Sequence, residues 1–309
     1  MNYTITFSLA LFVFCTQSLF SAVDSLSVDK DSVDTDKDYW FKFDTEIGIK
    51  RFNNFDFSFD DNESGLFEIQ YGRASLKHND IDNQQFAYLG SLQTTIGYFE
   101  KNIVNRRYRS LVEYDFETVL SFSYNSVNLG SEKNTGRNEY YVWNVDLPER
   151  TALGYSLGHG FSIMPYYQNS TLFWSGVETK QLQDSVSRIA RFQDGLHFGH
   201  GNQAGITIEL TSNIGLTASY SYNTIFARHV FWQWVITEMI HKSADGIVNG
   251  LVTVIKRKAP SVAPIFHFVL RNAVSYGFYE LRKTGMNWPF DSEKALGVEQ
   301  FRVGVSFIF

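Results

Sequence analysis

Apolar and polar residues alternate along much of the chain. Tyr39, Phe41, Phe43, Thr45, Ile47 and Ile49 share one parity, and Trp40, Lys42, Asp44, Glu46, Gly48 and Lys50 hold the other. A period of two puts these sets on opposite faces of an extended strand. The pattern returns at Phe55, Phe57 and Phe59, at Phe86 to Tyr98, and most clearly from Tyr108 to Tyr124. It recurs at Tyr141 to Leu147, at Ile206 to Leu210, and at Ile214 to Tyr222 after a Ser212-Asn213 turn. Strands of a water-soluble sandwich average five or six residues. Runs of ten or more, with one apolar and one polar face, instead suit tilted strands that cross a bilayer around a wet lumen. The expected fold is an all-β, antiparallel transmembrane β-barrel of about twelve strands.

One stretch breaks the alternation. Within residues 229 to 291, Phe231, Trp234, Val235 and Met239, and then Ile247, Leu251, Val254 and Ile255, recur at helical spacing. Ser243 and Asp245 are expected as N-terminal caps of a second helix, and Lys256-Arg257-Lys258 suits its C-terminus. A third apolar segment follows Pro260 and Pro264, with a strand at Ser275 to Leu281 as the alternative. A helical insertion before the final strand is therefore predicted, as a plug of the lumen or a cap on one mouth, with a place on the membrane surface, Trp232, Trp234 and Trp288 at the interface, as the alternative. A smaller helix is predicted at Gln181 to Phe192.

Composition sharpens this picture. Phe, Tyr and Trp number 28, 17 and 6, while Pro numbers only 5; aromatic residues favour strands. Residues 1–22 have the apolar core of a secretory signal, and residues 23–38 form an acidic flexible leader. The barrel domain then runs over 39–309. The one cysteine, Cys15, falls inside the signal, which excludes a small cystine-stapled fold. A net charge of −6 with no large basic cluster gives no reason to expect nucleic acid.

The chain ends Phe301-x-Val303-x-Val305-x-Phe307-x-Phe309. This resembles the C-terminal signature of Gram-negative outer-membrane β-barrel proteins, in which alternating apolar residues finish on Phe. The resemblance implies a strand that the barrel-assembly machinery recognises and that closes the barrel against the first strand. It also implies termini on the periplasmic side. Arg302 and Ser306 would then face the lumen, and the partners would be outer-membrane lipid, that machinery, and a periplasmic or outer-membrane protein.

Candidate chemistry is sparse. Gly158-His159-Gly160 and His197-F-G-H-G-N202 are rich in Gly and His. His200 beside Asn202 invites comparison with outer-membrane lipid hydrolases, but Gly201 stands where a neighbouring Ser would serve as nucleophile. Glu238-M-I-His241 puts two ligand types on one helical face, with His229 and His267 as partners, yet a metal site wants three or four converging ligands. The expectation is a channel, transport component or structural scaffold of the outer membrane, with no catalytic, metal or cofactor-binding residues. The alternatives are a lipid or lipopolysaccharide hydrolase using His200 as base, and an exported soluble β-sandwich.

Overall fold

The computed structural model describes residues 63–80, 86–104, 110–130, 140–179, 189–193 and 195–309. Its strands are β1 (Glu63–Lys77), β2 (Leu89–Ile103), β3 (Leu111–Ser126), β4 (Tyr140–Gly158), β5 (Phe161–Thr179), β6 (His197–Glu209), β7 (Ile214–Ile225) and β8 (Leu296–Ile308). Each pairs antiparallel with the next, and β8 returns to pair with β1, which closes the sheet. Closure leaves no edge for further strands, so the barrel has eight strands where about twelve were expected. It also excludes the two-sheet sandwich. Several strands outrun the pattern that marks them: β6 has 13 residues where only Ile206 to Leu210 alternate, and β4 has 19 where only Tyr141 to Leu147 do. The runs at 39–50 and 55–59 lie outside the described residues, as do the signal and the acidic leader. Of the helix expected at Gln181 to Phe192, only a 3-10 turn at Ile189–Phe192 falls within them.

The terminal strand closes the barrel in the expected way. It pairs from Ile308 opposite Leu66 to Gly297 opposite Lys77, and Phe309 and Gly65 exchange backbone hydrogen bonds of 2.6 and 3.1 Å. Gly158, His159 and Gly160, all at positive φ, make the tight turn from β4 to β5; glycine adopts such angles at little cost. Pro148, which has no N–H to give, sits where the β4–β5 register slips between Leu147 and Glu149.

The lumen is packed. Contacts that cross it join Glu68 on β1 to Arg150 on β4 at 3.2 Å, Tyr114 on β3 to Glu209 on β6 at 2.8 Å, and Gln300 on β8 to Asn125 on β3 at 3.1 Å. Arg150 lies over the Tyr166 ring at 4.5 Å and donates to Gln168 at 2.7 Å. Arg302 donates to Gln203 at 3.1 Å and also to Ser221 and Gln300. Apolar clusters close this polar middle at both ends: Leu76, Leu89, Tyr140, Phe173, Phe192 and Val298 at one, and Phe99, Tyr114, Ala152, Met164 and Tyr166 at the other. Eight strands leave an interior just wide enough for side chains to fill. One polar space beside Asp146, Gln203 and Arg302 measures about 10 Å³, room for roughly one water.

Between β7 and β8 the chain forms two helices, α1 (Phe231–Lys258) and α2 (Ala263–Thr284), of 28 and 22 residues. The two short helices expected over 229–258 are thus one. Ser243 and Asp245 are not caps: the Ser243 hydroxyl donates to the Met239 carbonyl at 2.7 Å, and Asp245 is buried. Pro260 follows the end of α1 and Pro264 opens α2, where proline costs no helical hydrogen bond. Residues 275–281 are helical, not a strand.

Candidate functional site

Strand parity separates the two faces of the barrel wall. Gln203, Ser221, Asn223, Gln300 and Arg302 face the lumen, so Asn202, Tyr222, Glu299 and Phe301 face outward. Over most of the wall the outward row is apolar. Phe301 is 59% exposed and Ile96 54%, with Ile69, Leu120, Phe122, Leu216, Val303 and Phe307 comparable. On β3 to β7 part of that row turns polar: Glu113, Glu149, Thr151, Tyr167, Asn169, His200, Asn202 and Tyr222. The helices cover this strip.

They do so along its whole length. Near the loop-bearing end, the rings of His229 and Phe198 lie 4.7 Å apart just before α1 begins. Further along α1, Lys242 meets Glu149 at 2.7 Å and Lys256 meets Glu113 at 2.6 Å. At the hairpin tip the Tyr155 hydroxyl donates to the Ser261 carbonyl at 2.5 Å, close to the Gly158 turn. Returning along α2, Thr151 meets His267 at 3.4 Å, Ser275 meets Asn202 at 2.6 Å, and Tyr279 donates to Glu299 at 3.0 Å. A plug or cap of the lumen was expected. The hairpin instead lies on the outer wall, because the lumen is already filled and the unsatisfied polar groups of the wall lie outside it.

The hairpin is polar inside and apolar outside. Thr237, Glu238, His241, Asp245, His267, Ser275 and Arg282 are buried, while Phe231, Trp232, Ile236, Met239, Ile247, Val254, Ile265 and Val269 are exposed. Val248, Val252, Val274 and Phe278 join the two helices.

The densest polar cluster is where α1, α2, β5 and β6 meet. Arg282 on α2 donates to Glu238 Oε1 on α1 at 2.7 Å. The same oxygen lies 3.2 Å from His200 Nδ1 on β6, and Glu238 Oε2 lies 4.0 Å from His241 Nδ1. His241 Nε2 is 3.9 Å from Asp245 Oδ2, and its ring packs on Phe278 at 4.3 Å. His200 Nε2 meets the Asn169 amide at 3.1 Å, and that amide donates to Asn202 at 3.2 Å. A buried carboxylate is costly without a cation; here one guanidinium supplies it.

Several of the sequence candidates therefore meet here. Glu238 and His241 do share a helical face, but their third neighbour is His200. His229 packs against Phe198 and Trp234, and His267 lies further along α2 beside Thr151. His200 and Asn202 are linked through Asn169. The nearest linked hydroxyl, Ser275, bonds to Asn202, so two amides stand between the histidine and a would-be nucleophile. Direct proton transfer between His200 and Ser275 is not available. Phe301, Val303 and Phe307 face outward and are exposed, and Arg302 and Ser306 face the lumen, as expected. Sequence reasoning missed Arg282, Asn169 and Ser275. A signal was present: His267, Arg271, Ser275, Phe278 and Arg282 recur every three or four residues, so four of the five draw a polar stripe down an otherwise apolar helix.

No family model and no curated protein matches the chain. Solved structures similar to it include Neisserial surface protein A, at 10% identity over 79% of this chain and 97% of that one, with a TM-score of 0.38. Ail, the attachment invasion locus protein of Yersinia pestis, gives 9% identity over 80% and 99%, with a TM-score of 0.33. Ail in complex with the heparin analogue sucrose octasulfate gives 8%, also at 0.33. Likeness at this level carries no functional argument, and the reading below rests on the chain's own geometry.

Proposed function

We propose that this chain is an outer-membrane β-barrel that works as a membrane-embedded scaffold, with the helical hairpin as its distinctive part. The observation that carries the reading is the inverted polarity of the outer surface. Large apolar side chains are exposed on the strands and on the outward faces of both helices, whereas Arg150, Arg302, Arg282, Glu68 and Glu238 are buried. Water penalises such a surface and lipid does not.

No helix among the described residues is long and apolar enough to cross a membrane by itself. At 1.5 Å per residue, however, α1 and α2 span roughly 42 and 33 Å, against a hydrocarbon core of about 30 Å. What each helix lacks in apolarity on one face, the polar strip of the barrel satisfies. In this reading the hairpin traverses the bilayer alongside the barrel. By the orientation that the terminal signature implies, its Ser261 tip and Lys256 to Lys258 reach the periplasmic interface.

The packed lumen favours a scaffold over a diffusion channel. The terminal strand from Phe301 to Phe309 serves as the assembly signal, and the partners are outer-membrane lipid, the barrel-assembly machinery and a membrane or periplasmic protein. Two measurements test the reading. The protein is expected in the detergent-extracted membrane fraction, and recovery from the soluble fraction without detergent would overturn the membrane assignment. Reconstituted in planar bilayers, the intact chain is expected to give no steady conductance; stepwise conductance would restore the channel.

A further inference from the structure

We propose that His200, Glu238 and His241 form a binding site for a divalent transition-metal ion of the zinc class, clamping the hairpin to the barrel wall. All three side chains are buried, and each offers a ligand atom within 4.8 Å of the others. The group joins two elements far apart in sequence, β6 and α1, which a helical Glu-x-x-His pair alone would not do.

The second observation is the state of those atoms. His241 is fully buried, yet neither of its ring nitrogens has a hydrogen-bond partner. His200 Nδ1 and Glu238 Oε2 also lack one. Buried polar groups are nearly always satisfied, so three orphaned atoms gathered in one place, one from each residue, call for a ligand. Two imidazoles and a carboxylate make a donor set suited to zinc and its neighbours, and poorly suited to calcium or magnesium, which prefer all-oxygen shells. At bond lengths of roughly 2.0–2.2 Å, tetrahedral ligand atoms lie about 3.4 Å apart. The three ligand atoms lie within 4.8 Å of one another, so reaching that spacing needs shifts of at most about 1.4 Å.

The surroundings fit this assignment. Asp245 Oδ2, 3.9 Å from His241 Nε2, is placed to hold the proton there and leave Nδ1 for the metal. Asn169 does the same for His200 once its amide turns its oxygen toward Nε2, an orientation set only by the hydrogen-bond network. Asn202 and Ser275 reverse with it, since Ser275 can donate onward to Tyr167 at 3.2 Å. Arg282 holds the other oxygen of Glu238 and so fixes the carboxylate's orientation. The fourth position is left for water or a lipid-borne anion. This inference needs only the fold and does not depend on whether the barrel conducts.

The full chain, purified in detergent and stripped with a chelator, is titrated with Zn²⁺ against a chromophoric competitor and separately with Co²⁺. One ion per chain is expected, with the visible absorption of four-coordinate cobalt. His241→Gln and Glu238→Gln should weaken binding by about 100-fold or more, and Asn169→Leu by about 10-fold through loss of ligand orientation. His267→Ala, outside the group, should bind as the parent does. Circular dichroism confirms that each variant is folded; should none fold, the stoichiometry and cobalt spectrum of the parent chain decide alone. Less than one high-affinity ion per chain, an octahedral cobalt spectrum, or equal affinity in folded His241→Gln would overturn the site.

Discussion

Replacing Arg282 with Leu removes the one guanidinium that faces Glu238, from 2.7 Å. Both groups are buried; Arg282 is only 1% exposed. Deleting one partner leaves the Glu238 carboxylate in the seam with no guanidinium, and its Oε2 is already unsatisfied. Breaking a buried pair in this way costs about 3–5 kcal/mol. Leu fills part of the vacated volume but restores none of the charge. Converting both residues, as Glu238→Leu with Arg282→Leu, leaves no buried charge and should recover most of the loss, to within about 1 kcal/mol of the parent. The assay is urea unfolding in detergent with chelator present, followed by tryptophan fluorescence, because Trp232, Trp234 and Trp288 lie in the insert. A single replacement costing less than about 1 kcal/mol, or a double replacement no better than the single, would refute a charge pair that holds the hairpin in place.

Three further outcomes follow from the same geometry. Ile96→Lys, on the lipid-facing row of β2, should destabilise the protein in vesicles by about 2–4 kcal/mol if it lies near the bilayer midplane; a loss below about 0.5 kcal/mol, typical of a wet surface site, would count against the membrane reading. Cysteines placed at Tyr155 and Ser261, whose side chain and carbonyl are in hydrogen-bond contact, should cross-link with a short bifunctional reagent, and no cross-link in the folded protein would move the hairpin tip away from the turn end. Deleting Phe309 should lower the amount of assembled protein in the outer membrane while leaving unfolding of protein refolded in vitro nearly unchanged; an unaltered amount would remove its role as an assembly signal.

How much of this was legible in the sequence depends on where each face of an element points. The lipid-facing strands announce themselves, because Phe301, Val303, Val305 and Phe307 alternate with groups that a lumen accepts. β1 is less plain: Phe67, Ile69 and Tyr71 alternate with Glu68, Gln70 and Gly72, but Leu66 and Arg73 break the alternation at either end, and the role of Glu68 emerges only when it meets Arg150 across the lumen. The helices were legible as helices because their apolar residues recur at helical spacing. Their location was not, since a helix with one apolar face looks the same whether that face meets a protein core or lipid. Only the polar stripe opposite carries the answer, and its partners, Glu113, Glu149, Asn169, His200 and Asn202, are spread over four strands.

Those two polar surfaces explain each other. A barrel wall carrying Glu113, Glu149, His200 and Asn202 outward would meet lipid at a cost for every group left unpaired. A helical pair carrying Glu238, His241, Asp245 and Arg282 on one face would fail to enter a bilayer for the same reason. Docked together they satisfy most of those groups, large apolar side chains dominate what remains outside, and the exposed Lys242 and Glu149 pair with each other. Neither surface is stable in lipid alone, so the hairpin cannot be an ornament on a finished barrel. Its residues precede β8 in the chain, and β8 is the strand that closes the sheet on β1. Apart from Glu299 on β8, which Tyr279 reaches, the wall that the hairpin covers, from β3 to β7, is therefore complete in sequence before the closing strand is reached. Covering the polar strip and closing the barrel are then successive parts of one folding problem, and the residues that solve the first lie within the 60 or so positions just before the strand that solves the second.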